Sequence, residues 1–170
     1  MLLVGGSLVS REHPGSDSME DAPKERSNYT HVSPAASRAQ TSLDDYVRTC
    51  GLEAGLLELV KLRASMINGC SYCLQEHSYD ALEGGERVER LFQLGAWAES
   101  PVFTGRERAA LGWTDAVTLV HNGHVPDEVY LQARSEFSEK ELVDLTWAIV
   151  AINGWNRMSI SFRGQPEIPK

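Results

Sequence analysis

From Thr41 onward the apolar positions recur with helical spacing, and no segment alternates apolar and polar residues with period two. Leu56, Leu57, Leu59, Val60, Leu62 and Ile67 put apolar side chains on most sides of a helix over about 54–68, which predicts a largely buried element. A shorter helix precedes it, opening at a weak Ser42/Asp45 capping pattern and stopping at Gly51. Asn68-Gly69 ends the buried helix, and a new one runs from Cys70 to Leu82 before Gly84-Gly85. Val88, Leu91, Phe92 and Leu94 predict an amphipathic helix over Glu86 to Trp97. Thr104-Gly-Arg-Glu107 and Ser138-Glu-Lys-Glu141 are capping boxes, the first opening a helix that ends at His121-Asn122-Gly123, the second a long helix over about 139–160. Between them, Pro126 starts a further helix that ends near Phe137.

These elements predict an all-α fold, a compact multi-helix bundle in one domain. Residues 39–163 form the helical body, 164–170 a C-terminal tail, and 1–38 a largely irregular N-terminal arm rich in Ser, Pro and Gly. Leu2 to Val9 is mildly apolar but has no basic residues ahead of it, so no signal peptide is expected. A net charge of -8 and the lack of a basic stripe argue against nucleic acid as a partner. The longest apolar runs fall well short of the ~20 residues a membrane span needs, so no membrane role is expected. Three cysteines leave one unpaired however they are joined, which suits a reducing cytoplasmic setting better than a secreted disulfide scaffold.

In that setting a Cys-x-x-Cys pair points to catalysis or metal binding, with Cys50 a bystander. Cys70, Cys73 and His77 fall within roughly 60° of one another on a helix that begins at Cys70. A helix start favours the thiolate of Cys70, whereas the i, i+4 relation to His77 favours that of Cys73. Glu58, on the preceding helix among leucines, is a carboxylate expected to be buried and therefore partnered, and it reaches His77 if the two helices cross closely. A structural pair or a metal site are the alternatives, but zinc takes four ligands and no second Cys-x-x-Cys or well-spaced His pair completes a set. No metal or other cofactor is expected. His121 and His124 read as loop residues, the tryptophans as core or interface, and Lys61, Arg63, Arg87 and Arg90 as solvated or ion-paired helix positions without chemistry. Glu58-Leu-Val…Ile67-Asn68-Gly69-Cys70 also has an echo in Glu141-Leu-Val…Ile152-Asn153-Gly154-Trp155, which marks either a duplication or chance likeness between two helices.

Glu58, eleven residues, Cys70-x-x-Cys73, three residues and His77 resemble the core motif of the alkylhydroperoxidase AhpD family, within the carboxymuconolactone decarboxylase-like superfamily. Glu107-Arg-Ala-Ala-Leu and Asn153-Gly-Trp155-Asn156-Arg157 extend the likeness over residues 40–163. The resemblance implies an all-helical subunit of a trimer or hexamer and a thiol peroxidase without metal or haem. Its substrate is a hydroperoxide and its electron donor an external dithiol or protein reductant. By the same resemblance Cys73 carries the sulfenic acid, Cys70 resolves it, and Glu58 with His77 forms a proton relay. The alternatives are a general dithiol–disulfide oxidoreductase and a non-enzymatic oligomeric redox sensor or binding module. Two departures stand out: Tyr72 occupies the place of a His in the best-studied AhpD proteins, and their longer N-terminal half has no counterpart here.

Overall fold

The structure is a computed structural model that describes residues 23–166. Eight α-helices form among the described residues, with no strand. They are α1 (Tyr29–Val32), α2 (Pro34–Thr49), α3 (Ala54–Asn68), α4 (Ser71–Glu83), α5 (Val88–Gln93), α6 (Gly105–Thr118), α7 (Asp127–Glu136) and α8 (Glu139–Phe162), with a 3-10 turn at Leu94–Ala96. The all-α expectation is met. No described helix is long and apolar enough to cross a membrane.

The buried helix of the sequence analysis is the hub. α3 packs against α4, α6 and α8, and Leu59, Val60, Leu62 and Ala64 are all at most 1% exposed. Each of the larger side chains contributes about 1.5–3 kcal/mol by full burial, before entropy is counted. One apolar cluster joins α2, α3, α6, α7 and α8 through Val47, Leu57, Trp113, Phe137, Leu145 and Ile149. A second joins α3 to α4, α5 and α6 through Leu59, Leu62, Ala81, Leu91, Leu94 and Leu111. Both capping boxes form: Thr104 and Ser138 accept from the backbone of Glu107 and Glu141, whose carboxylates return to the cap residues' own N–H groups. Arg63 clamps Asp115 with two bonds of 2.6 and 2.8 Å, tying α3 to α6.

Two local expectations are corrected. The helix expected from Thr41 starts at Pro34, inside the segment read as an irregular arm. Proline at the first helical position has no N–H to leave unpaired, and Ala35 and Ala36 are strong helix formers, yet neither gives a periodic apolar signal. Tyr29 stacks on Trp155 and Phe162, and Arg26 bonds through its N–H to the Phe162 carbonyl, so this part of the arm lies along the end of α8. Residues 1–22 of the arm, and 167–170 of the tail, lie outside the described residues. The second correction is at Glu86 to Trp97, where one turn of α-helix and more gives way to the 3-10 turn and Phe92 is 81% exposed. Only Leu91 and Leu94 of that stretch are buried, and Trp97 packs half-buried against the same cluster.

Candidate active site

α3 ends because Gly69 takes the left-handed conformation (φ 72°, ψ 36°), with its N–H bonded to the Ser65 carbonyl. Cys70 follows in an extended conformation, its N–H on the same carbonyl at 3.0 Å, and becomes the N-cap of α4. Its sulfur accepts from the backbone N–H of Cys73 at 3.3 Å, at the positive end of the α4 dipole. Cys70 and Cys73 are joined as a disulfide, their Cα atoms 5.4 Å apart. Both are almost fully buried and pack on Ala64 of α3 and Ile152 of α8.

Below this turn lies a floor of amides. The Asn68 side chain donates to Asn153 Oδ1 at 3.0 Å and to Asn156 Oδ1 at 2.8 Å, and Asn156 Nδ2 donates to Ser65 Oγ at 3.0 Å. Asn156 is fully buried. α8 therefore holds the end of α3 that presents Cys70. In the sequence these amides carry no site signal of their own; the echo between residues 68 and 153 points to the pairing of Asn68 with Asn153.

The α3–α4 crossing that the sequence left open is close. His77 Nδ1 lies 2.9 Å from Glu58 Oε2, and the Lys61 ammonium lies 2.7 Å from Glu58 Oε1. Burial alone pushes the Glu58 carboxyl up, but the His77 hydrogen bond and the Lys61 charge outweigh it and hold the group below the ordinary carboxylate range. An ionised carboxylate only accepts, so Nδ1 carries the proton and Nε2 is the basic nitrogen of the neutral ring. Lys61 was read as a helix position without chemistry; its place three residues after Glu58 was the available signal.

Glu58, His77 and Asp80 also bring one ligand atom each within 4.8 Å of one another. The Lys61 ammonium already pairs with the Glu58 carboxylate at 2.7 Å, so part of the group's negative charge is offset. A cavity of about 890 Å³ opens over this group, lined among others by Glu58, Lys61, Tyr72, Cys73, His77 and Trp155. Cys73 lines it and Cys70 does not. Glu58, Cys70, Cys73 and His77 are thus brought together, while His121 and His124 are exposed in the turn between α6 and α7. Cys50 is free, half-buried at the end of α2, and packs against the first apolar cluster.

Fold and site define a class: an all-helical Cys-x-x-Cys protein in which the second cysteine of the pair shares a pocket with a His–Glu couple. Residues 34–116 match the carboxymuconolactone decarboxylase family. The uncharacterized protein YdfG of Bacillus subtilis is 34% identical over 137 residues, 81% of this chain and 93% of its own. A crystal structure of a protein of unknown function from Agrobacterium tumefaciens, proposed as an AhpD antioxidant defence protein, is 42% identical. It superposes with a TM-score of 0.84 over 86% of this chain and all of its own. The debrominase Bmp8, at 19% identity, shares the fold with a TM-score of 0.73 over 81% of this chain and 74% of its own. The chain belongs to the carboxymuconolactone decarboxylase family and has the AhpD-like fold.

Proposed function

We propose that the protein is a thiol peroxidase that reduces hydroperoxides through a cycle of the Cys70/Cys73 pair. The observation that carries this reading is that Cys73, and not Cys70, lines a cavity shared with His77, whose Nδ1 is tied to Glu58 at 2.9 Å. In the reduced protein His77 Nε2 takes the Cys73 proton, and the imidazolium is stabilised by the ionised Glu58. The thiolate attacks one peroxide oxygen and the O–O bond breaks. The alkoxide leaves with the proton from His77 as an alcohol, and Cys73 is left as a sulfenic acid. Cys70 then attacks the Cys73 sulfur as a thiolate, forming the disulfide and releasing hydroxide, which takes up a proton as water. An external dithiol or protein reductant returns the pair to thiols by exchange.

The protein's setting follows from the same reading: a cytoplasmic enzyme that works as a homo-oligomer, a trimer or hexamer. Val143, Trp147 and Val150 support the assembly, since they form an exposed apolar stripe at helical spacing on α8. The test is mass spectrometry of the purified protein after peroxide treatment. Wild type forms the Cys70–Cys73 disulfide, Cys73→Ser traps no sulfenic acid, and Cys70→Ser accumulates it on Cys73. No peroxide-dependent disulfide sinks the reading, and turnover of disulfide substrates without peroxide replaces it with a general dithiol–disulfide oxidoreductase.

A further inference from the structure

The cavity carries more negative charge than positive. Asp44, Glu58, Glu76, Asp80 and Glu86 line it, against Arg48 and Lys61. Several of these charges are cancelled or held locally. Glu58 is paired with Lys61 at 2.7 Å, and Glu86 is held by Arg90 at 2.9 Å. Asp44 accepts from the Trp155 indole. The surplus sits on α4, where Cys73, Glu76, His77 and Asp80 follow one another at i, i+3, i+4 and i+7 and so share a face. Glu76 is exposed, and the Asp80 side chain is 54% exposed. Tyr29, Tyr72, Ile152 and Trp155 add aromatic and apolar surface to the same lining.

We infer that this charge distribution selects the redox partners of the site: thiols and hydroperoxides with a neutral or cationic body enter and react, and anionic ones are turned away. The inference rests on the redox reading of the Cys70/Cys73 pair. For reduction, a thiolate attacks the cavity-facing Cys73 sulfur, the S–S bond breaks, and Cys70 leaves as a thiolate that takes a proton. A second thiolate then attacks the mixed disulfide at the reductant's sulfur. The reductant leaves as its disulfide, Cys73 is released as a thiolate, and two electrons have passed to the protein. A further negative charge on the incoming molecule meets carboxylates one to two helical turns, about 5–10 Å, from Cys73. At that range, near water and within about one Debye length, the repulsion changes a rate several-fold and is removed by salt.

The experiment measures reduction of the oxidised full-length protein by cysteamine, 2-mercaptoethanol and 2-mercaptoethanesulfonate. Each rate is taken per thiolate and divided by that thiol's rate on a small neutral disulfide. Cysteamine is expected to lead and the sulfonate to trail, with a spread of about three- to tenfold at low salt that collapses toward one in ~1 M salt. Glu76→Lys narrows the spread by about twofold or more, while the same charge change outside the cavity, Glu99→Lys, leaves it in place. Equal rates at low salt, a leading sulfonate, a spread that Glu76→Lys leaves unchanged, or a disulfide that none of the three thiols opens each overturns the inference. Failure of peroxide to form the disulfide would sink the peroxidase reading and leave this charge order standing.

Discussion

The two stretches that share Glu-Leu-Val at one end and Ile-Asn-Gly at the other lie side by side, because α3 and α8 pack together and Asn68 bonds to Asn153. They meet different fates. Glu58 lies a full turn inside α3, where Lys61 and His77 hold it beside the thiols. Glu141 lies in the first turn of α8, where the Ser138 side chain and backbone and then Arg106 hold its carboxyl down to about 2, and it closes a capping box. At the other end, Gly69 takes φ 72° and stops α3, so that Cys70 can cap α4. Gly154 stays inside α8, and the helix runs on to Phe162. A Cβ on Gly154 would lie 3.1 Å from the Gln40 side-chain amide, which donates to the Ala151 carbonyl at 2.9 Å. The first glycine serves a turn, the second a close approach of α2. The same tripeptide is a break or a passage according to what packs on it.

The largest test of this contrast removes each glutamate's carboxylate in turn. Glu58→Gln is expected to lower peroxide turnover about a hundredfold or more, the range for loss of a positioned acid–base partner. Glu141→Ala should leave turnover unchanged and cost about 0.5–1 kcal/mol in urea unfolding, since the cap and its ion pair are partly exposed. Comparable turnover loss in both variants would dissolve the distinction.

Next in size is the amide floor that joins the two stretches. Asn156→Ala strips one acceptor from Asn68 and leaves the buried Ser65 hydroxyl without its donor. A loss of about 2–3 kcal/mol is expected, roughly 4–12 °C in Tm. A loss below about 0.5 kcal/mol would show that the floor does not hold the turn.

The smallest effects separate the two glycines. Gly69→Ala forces a Cβ into the left-handed region and should cost about 1–2 kcal/mol. Gly154→Ala should be near neutral, because the gain in helix propensity offsets the displaced Gln40 amide. In a Gln40→Ala background the same change should stabilise by up to about 1 kcal/mol, and a cycle showing no coupling would remove Gln40 from the account.

How much was legible follows the range of the interactions. The capping boxes at Thr104 and Ser138, the extent of α3 and the i, i+4 relation of Cys73 and His77 on α4 are local, and each stands where the sequence pattern puts it, whereas Cys70, expected as the first residue of that helix, is its extended N-cap. The start of α2 at Pro34 was not legible, because Pro-Ala-Ala-Ser carries propensity without an apolar stripe. Phe92 was misread because a six-residue helix followed by a 3-10 turn does not keep one face toward the core. In the site, the need of Glu58 for a partner was readable from its apolar neighbours, but its two partners, and the amides under Cys70, were not.

The sequence by itself determined the all-helical bundle and placed one thiol and the imidazole a turn apart on one helix, with the second thiol at its start, since backbone geometry over a few residues sets both. Only the tertiary structure decided that Glu58 reaches His77, that Cys73 rather than Cys70 meets the cavity, and that Ile-Asn-Gly ends one helix and passes through the other. Those outcomes depend on which side chains from distant parts of the chain are pressed against each position, and spacing along one helix carries no record of them.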